Sequence, residues 1–351
     1  MNAGGSAAGQ QRRVGVAVIG AGRWGPNLIR DFHDDARSQL VQVVDINPER
    51  LRQVSRRYPE VALGIALEDA LDNPAVEAVA IATPATTHFE LAEQVISAGR
   101  HCFVEKPLTT DTKLAEALCM QADEAAVVLA VGHVFLHNAA VQAVKELIDG
   151  GALGEVRYIS MVRTNLGPPH IDVSVVWDLA SHDLSIADYW LGASPVAASA
   201  RGGRWITPER EDTVFATVTY PGSRLVHLNV SWLSPLKVRQ VVIVGTRKMA
   251  TIDLMDFAEP LRIYDKGIDP DPDAFVETFG AFHAKVRDGD VTLPAIKMDE
   301  PLRAECAHLL DCILSKRRPI NDGWSALPVI RTITAIDQSL ASMGENVDVI
   351  T

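Results

Sequence analysis

Short apolar runs alternate with helical segments from Val14 to about Val134, and this pattern limits the fold more than any other feature of the sequence. The runs are almost continuously apolar, unlike the alternating pattern of a strand with one face in water. Strands that are buried on both faces and separated by helices form parallel sheets covered on both sides. The pattern therefore predicts a doubly wound α/β domain, with strands at residues 14–19, 40–44, 76–82, 101–104 and 127–131 and helices at 24–32, 48–58, 88–98 and 112–125.

The sequence changes character after Gly150 and Gly151, which end a helix predicted at 138–149. β-rich segments then follow one another on short turns, including a hairpin turn at residues 220–223. This succession predicts a second α/β domain built on an open, mostly antiparallel sheet. Its strands are expected at 156–163, 196–202, 213–220, 224–232, 239–244 and 249–253, and helices at 301–314 and 327–342 close the chain.

The chain has 351 residues, 47% of them hydrophobic and 22% charged, as is typical of a globular protein with about two domains. Its net charge of −12 disfavours binding to nucleic acid or to an anionic membrane surface. No apolar run reaches the roughly 20 residues that cross a bilayer. Residues 1–12 have the composition of a disordered tail rather than of a signal peptide. Since the four cysteines form no CxxC pair, we expect a cytoplasmic protein with reduced thiols. The charge and the lack of a long apolar run predict no nucleic-acid or membrane partner.

A glycine-rich segment, Gly20-Ala21-Gly22-Arg23-Trp24-Gly25, follows the first strand and opens the first helix. Its first glycine permits the tight turn, the second lets the backbone approach a pyrophosphate, and the third allows close packing of helix and strand. Asp45 ends the second strand 20 residues after the last of these glycines, where its carboxylate can accept hydrogen bonds from ribose hydroxyls. Because a 2′-phosphate would face this negative charge, the sequence predicts NAD rather than NADP. Arg50 is expected near the adenine or in solvent, although it could also turn toward a phosphate.

Two further segments carry residue types that suit proton transfer. Glu105-Lys106-Pro107 follows the strand at 101–104, at the carboxyl edge where open α/β sheets bind ligands, so Lys106 is either catalytic or an ordinary solvated lysine. Asp178 and His182 are four residues apart, which on a helix places both on one face, and a carboxylate beside an imidazole suits a general base. A helix-capping Asp178 and a buried, satisfied His182 are the other interpretations. No metal is predicted, because metal sites need three or four ligands and this spacing offers two.

Polar residues and prolines lie between the strand at 156–163 and the segment that contains Asp178. Among them are Arg163, Asn165 and Asp172. A rigid loop of this composition suits substrate binding, and an ordinary exposed loop is the alternative.

Together these motifs resemble the Gfo/Idh/MocA family of oxidoreductases. The resemblance rests on the glycine-rich segment at 20–25, Ala82-Thr83-Pro84 with His88, Glu105-Lys106-Pro107, and the pair of Asp178 and His182. Within the family, residues 163–186 are most similar to the nucleotide-sugar 3-dehydrogenases, which act on UDP-N-acetylglucosamine or UDP-N-acetylglucosaminuronate.

The resemblance implies a Rossmann domain at residues 13–134 that binds NAD. It implies an α/β domain at 135–351 that binds the substrate and forms a homodimer or homotetramer through its open sheet. Lys106 would contact the reacting hydroxyl and the nicotinamide ribose, His182 would exchange the hydroxyl proton, and Asp178 would support them. The cofactor would be held by Gly20, Gly22, Arg23, Trp24, Gly25, Asp45, Arg50, Thr83, His88, Glu105 and Lys106, and the substrate by Asn138, Arg163, Asn165, Asp172 and His182.

The expected reaction transfers a hydride between NAD and a secondary alcohol on a sugar ring, at C3 of a nucleotide-linked hexose. One alternative is a dehydrogenase of a free sugar, inositol or sugar phosphate, or a ketoreductase that works in the opposite direction. The other is a cofactor-binding regulator without catalytic activity. The presence of both Lys106 and His182 favours an enzyme.

Overall fold

The structure is a computed structural model that describes residues 12–167, 173–206, 208–270 and 284–350. The contacts within it divide the chain into two units. The first contains the described residues up to Thr109, together with Lys113–Gly132 and Leu302–Gly323. The second contains Thr110–Thr112, His133–Pro301 and the described residues from Trp324 onward. The tail predicted at 1–12 lies outside the described residues except for Arg12, whose guanidinium donates a 2.7 Å hydrogen bond to Glu77.

The first unit is built on a six-stranded, wholly parallel sheet with the strand order β3-β2-β1-β4-β5-β6. This order reverses direction beside β1, as in a doubly wound dinucleotide-binding fold, and confirms the predicted fold class. The strands are β1 Val14–Ile19, β2 Ser38–Val44, β3 Ala62–Gly64, β4 Ala78–Ile81, β5 His101–Val104 and β6 Leu129–Val131. The helices are α1 Gly25–Asp34, α2 Pro48–Arg57, α3 Leu67–Leu71, α4 His88–Ser97 and α5 Thr112–Glu124.

The local sequence explains where α2 begins. The side chain of Asn47 accepts a hydrogen bond from the backbone N–H of Glu49, and Pro48 occupies the first turn, where its missing N–H leaves no bond unmade. This cap starts the helix three residues after β2 ends. The short connection keeps the residues that follow β2 close to the carboxyl edge of the sheet.

A segment from the end of the chain completes the first unit. Helix α8, Pro301–Ser315, precedes a stretch in which Asp322 bridges to Ala130 of β6. The sequence predicts a single boundary near residue 134, whereas the structure returns Leu302–Gly323 to the first unit. Buried apolar residues on α8 account for this packing, since they place the helix against a core: Leu302, Cys306, Leu309, Leu310, Cys312 and Ile313.

The second unit is built on a nine-stranded sheet with the order β14-β13-β12-β11-β7-β10-β9-β8-β15. The pairing is antiparallel except between β7 and β10, in agreement with the predicted mostly antiparallel sheet. The strands are β7 Val156–Leu166, β8 Ala197–Gly203, β9 Thr213–Tyr220, β10 Arg224–Ser231, β11 Leu233–Gly245, β12 Met249–Asp253, β13 Leu261–Pro270, β14 Ala284–Thr292 and β15 Val347–Asp348. The helices are α6 Ala139–Asp149, α7 Ser181–Leu191 and α9 Gly323–Ala341.

The two faces of this sheet differ in burial. Ile159 and Met161 of β7 are fully buried, as are Val226 and Leu228 of β10. Tyr158, which alternates with them along β7, is 45% exposed. Because successive side chains on a strand point to opposite faces, one face forms the core of the unit and the other is open.

Candidate active site

The glycine-rich segment forms the turn between β1 and α1. Gly20 has a φ of +94°, and a Cβ there would lie 2.7 Å from the carbonyl oxygen of Ala82. A Cβ on Gly25 would lie 1.9 Å from the carbonyl oxygen of Gly20. Gly22 differs, because a Cβ there would have the Arg50 guanidinium as its nearest neighbour, at 3.6 Å. The first and third glycines therefore serve the tight turn, and the second leaves backbone accessible beside a helix N-terminus, where an anion is favoured.

Asp45 follows β2 directly and is buried beside this turn. Its Oδ2 accepts a 2.7 Å hydrogen bond from the backbone N–H of Ala21, and its Oδ1 accepts one of the same length from Asn47. The Arg50 guanidinium lies 3.4 Å from Oδ2. A carboxylate offers about four acceptor positions, so it can still accept from further hydroxyl groups. The structure thus places Asp45 beside the glycine turn, with Arg50 against its carboxylate, a contact that was not predicted.

Glu105 follows β5 and has unusual surroundings. The Trp24 side chain makes a hydrogen bond to its carboxyl group, whereas its Oε1 atom is buried without a hydrogen-bond partner among the described residues. Burial raises the pKa of Glu105 to about 8, and the positive charge of Lys106 opposes the rise. Glu105 is therefore largely protonated at neutral pH, and it can donate a hydrogen bond as well as accept one.

His88 is buried, and its ring bridges two backbone segments. Its Nδ1 lies 2.7 Å from the carbonyl oxygen of Pro107, and its Nε2 lies 2.9 Å from that of Thr83. Since His88 is 1% exposed, its role at this site is indirect. It holds the turn after β4 against the segment that carries Lys106.

Glu305 and Asn321 come from the returning C-terminal segment and were not predicted. Glu305 is 1% exposed, and its carboxyl group accepts a 3.0 Å hydrogen bond from the side-chain amide of Asn321. The same amide donates a 2.7 Å hydrogen bond to the carbonyl oxygen of Val131, at the end of β6. The next residue, Gly132, has Glu105 as its neighbour, with Oε2 at 2.8 Å from the position of a Cβ. Burial raises the pKa of Glu305 well above its ordinary value, and the charge of Glu105 adds to the rise when Glu105 is ionised.

Asp178 and His182 lie in the second unit, at the junction of a π-helical turn, Val176–Ala180, and α7. The sequence predicts an ordinary helix here, and the wider turn is a feature that helices often show at functional sites. Asp178 Oδ2 accepts a 3.0 Å hydrogen bond from the Trp232 indole. The His182 ring packs edge-on against Phe135, with centroids 4.9 Å apart. Neither aromatic neighbour was predicted.

Arg163 lies inside β7, in agreement with the strand predicted at 156–163, whereas the expectation that Asn165 belongs to a loop is wrong because the strand is longer. The strand continues to Leu166 because β11 pairs with it there through Leu233, and Arg239 of β11 lies directly opposite Arg163. Arg163 is almost wholly buried, and its Nε and Nη2 donate hydrogen bonds of 2.8 and 2.6 Å to Asp183 Oδ1. A buried guanidinium is stable here because a buried carboxylate neutralises it. Its contact with substrate stays a prediction.

Asn138 and Asp172 are the other two residues predicted to bind the substrate. Asn138 is buried and caps α6, with its Oδ1 accepting from the backbone N–H groups of Ala140 and Val141 at 3.0 and 3.4 Å. This capping role was not predicted. Asp172 lies outside the described residues.

The described part of the chain contains no cluster of three or more His, Cys, Asp or Glu side chains that could hold a metal ion. It also contains no helix that is long and apolar enough to cross a membrane.

Comparison with known proteins agrees with the motifs. Residues 14–133 match the model of the GFO/IDH/MocA oxidoreductase family with an NAD-binding Rossmann fold, and residues 141–251 match the GFO/IDH/MocA C-terminal domain. The chain is 32% identical to UDP-N-acetylglucosamine 3-dehydrogenase from Acidithiobacillus ferrooxidans. The similar region covers 90% of this chain and 93% of that enzyme. It belongs to the GFO/IDH/MocA oxidoreductase family.

Solved structures are similar over the same extent. The structure of the Acidithiobacillus ferrooxidans enzyme has a TM-score of 0.76 and 28% identity, with 93% of this chain and 99% of that chain covered. GenD2 from gentamicin A biosynthesis, solved in complex with NAD, has a TM-score of 0.80 and 26% identity, with 97% and 98% covered. The two-domain architecture is therefore that of the GFO/IDH/MocA family.

NAD is the cofactor of this family member, and the residues of the first unit fit it. The backbone at Gly22 is accessible for a pyrophosphate, Asp45 has acceptor capacity left for ribose hydroxyls, and Glu105 Oε1 is a buried polar atom without a described partner. Buried polar atoms normally have a hydrogen-bond partner, so Glu105 Oε1 is available to a bound group. The protein is thus an NAD-dependent oxidoreductase.

Proposed function

We propose that this enzyme oxidises the C3 hydroxyl of a UDP-linked hexose, with NAD accepting the hydride. The observation that carries the proposal is the 32% identity to a UDP-N-acetylglucosamine 3-dehydrogenase, which extends over 90% of this chain and 93% of that enzyme. A similarity along both domains includes the substrate-binding half, and so it supports a related substrate more strongly than a match to the Rossmann domain alone.

His182 is the proposed general base. A base within hydrogen-bond reach of the hydroxyl contributes about 10²–10⁴-fold to the rate, because the proton must leave as the hydride departs. Packing of the His182 ring against Phe135 restricts its orientation, which supports this assignment. Asp178, held by Trp232, acts as a supporting carboxylate that favours the protonated imidazole.

Lys106 is proposed to stabilise the negative charge that develops on the oxygen of the reacting alcohol. An ammonium group at that oxygen lowers the energy of the transition state more than that of the neutral alcohol. Its backbone position is supported by the contact of His88 with Pro107.

The other site residues are proposed to bind NAD or the sugar. NAD supplies the hydride acceptor. The turn formed by Gly20, Gly22 and Gly25 is proposed to bind the pyrophosphate. Asp45, with Arg50 next to its carboxylate, is proposed to bind the adenosine ribose. Glu105 and Thr83 are proposed to contact the nicotinamide side, together with Arg23 and Trp24 at the start of α1. Asn165 and Asp172 are proposed to bind the sugar.

The enzyme is proposed to act in the cytoplasm as a homodimer or homotetramer that pairs through the open face of the second sheet. Exposed apolar side chains on four neighbouring strands share that face according to the strand register, and they are Tyr158, Phe215, Leu225 and Val242. An apolar patch of this kind is typical of an interface between subunits.

The proposal is tested by measuring NADH formation with UDP-, TDP- and GDP-linked hexoses, free glucose and inositol, followed by identification of the keto product. We expect a UDP-sugar to be preferred and the product to be a 3-keto sugar. If free inositol or glucose reacts far faster than every nucleotide sugar, the proposed substrate is wrong, although membership of the family stands.

A further inference from the structure

Two guanidinium groups lie against the same aromatic ring beside the proposed base. The Cζ atom of Arg163 is 4.4 Å from the centroid of the Phe135 ring, and that of Arg239 is 5.4 Å from it. The two arginines are directly opposite each other on β7 and β11. His182 contacts this ring edge-on. Arg239 therefore lies in the immediate surroundings of His182.

The two arginines differ in their partners. Arg163 is paired with Asp183 through two hydrogen bonds. Arg239 is half-buried, and within the described ranges it makes neither a hydrogen bond nor an ion pair, its contact being the Phe135 ring. Asp178, the other carboxylate nearby, accepts a hydrogen bond from Trp232. Within the described ranges Arg239 thus has no direct ion-pair or hydrogen-bond partner, and the negative charges of Asp183 and Asp178 act on it only from a distance.

An unpaired guanidinium in partly buried surroundings is costly. Burial, followed by the like charge of Arg163, lowers the pKa of Arg239, and the negative charges of Asp183 and Asp178 oppose this shift. The arginine remains charged at neutral pH. Packing on Phe135 recovers part of this cost through a cation–π contact. This contact uses the face of the guanidinium, so its N–H groups remain available. They form a planar fork whose geometry matches a carboxylate or a phosphate.

We infer that Arg239 binds an oxyanion of the substrate, a carboxylate or a phosphate, beside the ring hydroxyl that His182 deprotonates. The inference rests on the proposed function, since it takes the second unit to be where the sugar binds. It specifies a substrate with a negative charge close to the reacting ring. It also means that the arginine that selects the anion is Arg239, while Arg163 supports the site from within the sheet.

The test compares the wild-type holoenzyme with NAD bound to three variants, Arg239→Gln, Arg239→Lys and, as a matched loss of charge at an exposed position of β7, Arg157→Gln. Calorimetric Kd values are measured for UDP-N-acetylglucosamine, UDP-N-acetylglucosaminuronate, UDP, glucuronate and neutral N-acetylglucosamine. We expect Arg239→Gln to raise the Kd of the anionic probes by about 10–100-fold, because a charge-assisted bidentate contact is lost. The Kd of the neutral sugar should change little. Arg239→Lys should restore part of the affinity, and Arg157→Gln should change none.

The probes distinguish the source of the oxyanion. If Arg239→Gln weakens the binding of UDP but not of glucuronate, the oxyanion is a phosphate. If it weakens the binding of glucuronate but not of UDP, the oxyanion is a carboxylate. The inference is overturned if Arg239→Gln weakens the neutral sugar as much as the anionic probes, if it changes no Kd, or if the wild-type enzyme binds none of the anionic probes. If anionic probes depend on Arg239 but no UDP-sugar reduces NAD, the proposed substrate fails and the anion site stands.

Discussion

The side-chain amide of Asn321 donates one hydrogen bond to Glu305 at 3.0 Å and another to the carbonyl oxygen of Val131 at 2.7 Å. This places the side chain of Glu305, which lies on α8, next to the end of β6 and near Glu105. Because Glu305 is buried and has one described hydrogen-bond partner, Asn321, its neutral form is favoured.

The pH dependence of stability follows from this pKa. The folded protein binds the Glu305 proton more tightly than the unfolded chain does, since its pKa is raised well above 4.5. This contribution to the free energy of unfolding is present below the ordinary glutamate pKa and is lost as the pH rises through the raised one. We expect the Tm of the protein without NAD to fall as the pH rises above the ordinary glutamate pKa, and Glu305→Gln to flatten this fall.

Thermal unfolding at several pH values measures this effect, with Glu300→Gln, at an exposed position just before α8, as the control. The control should keep the wild-type pH dependence. An unchanged slope in Glu305→Gln would mean that Glu305 ionises normally in the folded protein.

Catalysis should depend on Lys106 and His182 far more than cofactor binding does. We expect Lys106→Ala and His182→Ala each to lower kcat by about 100-fold or more, because each acts mainly in the transition state. Asp178→Asn should cost less, since it supports the base indirectly. Steady-state kinetics give kcat, and fluorescence titration with NADH shows whether the cofactor still binds. Near-normal turnover in His182→Ala would remove it as the base.

The buried pair of Arg163 and Asp183 should matter for stability. Asp183→Asn leaves a buried guanidinium without its counter-charge, and breaking such a pair typically costs about 3–5 kcal/mol. The exposed pair of Lys145 and Asp149, 2.5 Å apart on α6, is the matched control, and Asp149→Asn should cost about 0.5 kcal/mol or less. Urea unfolding measures both. Equal losses in the two variants would contradict the difference in burial.

Much of the Rossmann unit could be predicted because its strands are continuous apolar runs. The limits of β1 and β5 agree with the predicted ones at both ends. The five-residue helix α3 and the three-residue strand β3 were missed, since segments this short carry no hydrophobic period. Glu305 had a visible signal, because it shares a helix face with Leu302 and Leu309, and a carboxylate within an apolar stripe indicates a special role.

Other parts of the site had no signal in the sequence. Whether Asn165 lies in a loop or a strand depends on the pairing of β7 with β11, which is distant in the chain and pairs Leu233 with Leu166. Arg239 sits in an unremarkable strand, and its position opposite Arg163 follows from register alone. Pairing between distant strands is a tertiary property, and local sequence patterns do not encode it.

The choice of NAD over NADP should depend on Asp45. Its carboxylate can accept from the 2′-hydroxyl of NAD but repels the 2′-phosphate of NADP. Two unit charges 4 Å apart repel by roughly 4 kcal/mol at an effective dielectric constant near 20, before screening by salt. Arg50 reduces this repulsion, because its guanidinium lies 3.4 Å from the carboxylate.

The ratio of kcat/KM for NAD to kcat/KM for NADP should therefore respond differently in two variants. Asp45→Ser removes the repulsion and one ribose contact, so the preference for NAD should fall by about 10-fold or more. Arg50→Gln removes the nearby cation, so it should leave the preference for NAD intact or increase it. A wild-type preference for NADP would overturn the assignment of Asp45. A preference for NAD that survives in Asp45→Ser would show instead that the shape of the ribose site, and not the charge of Asp45, excludes the 2′-phosphate.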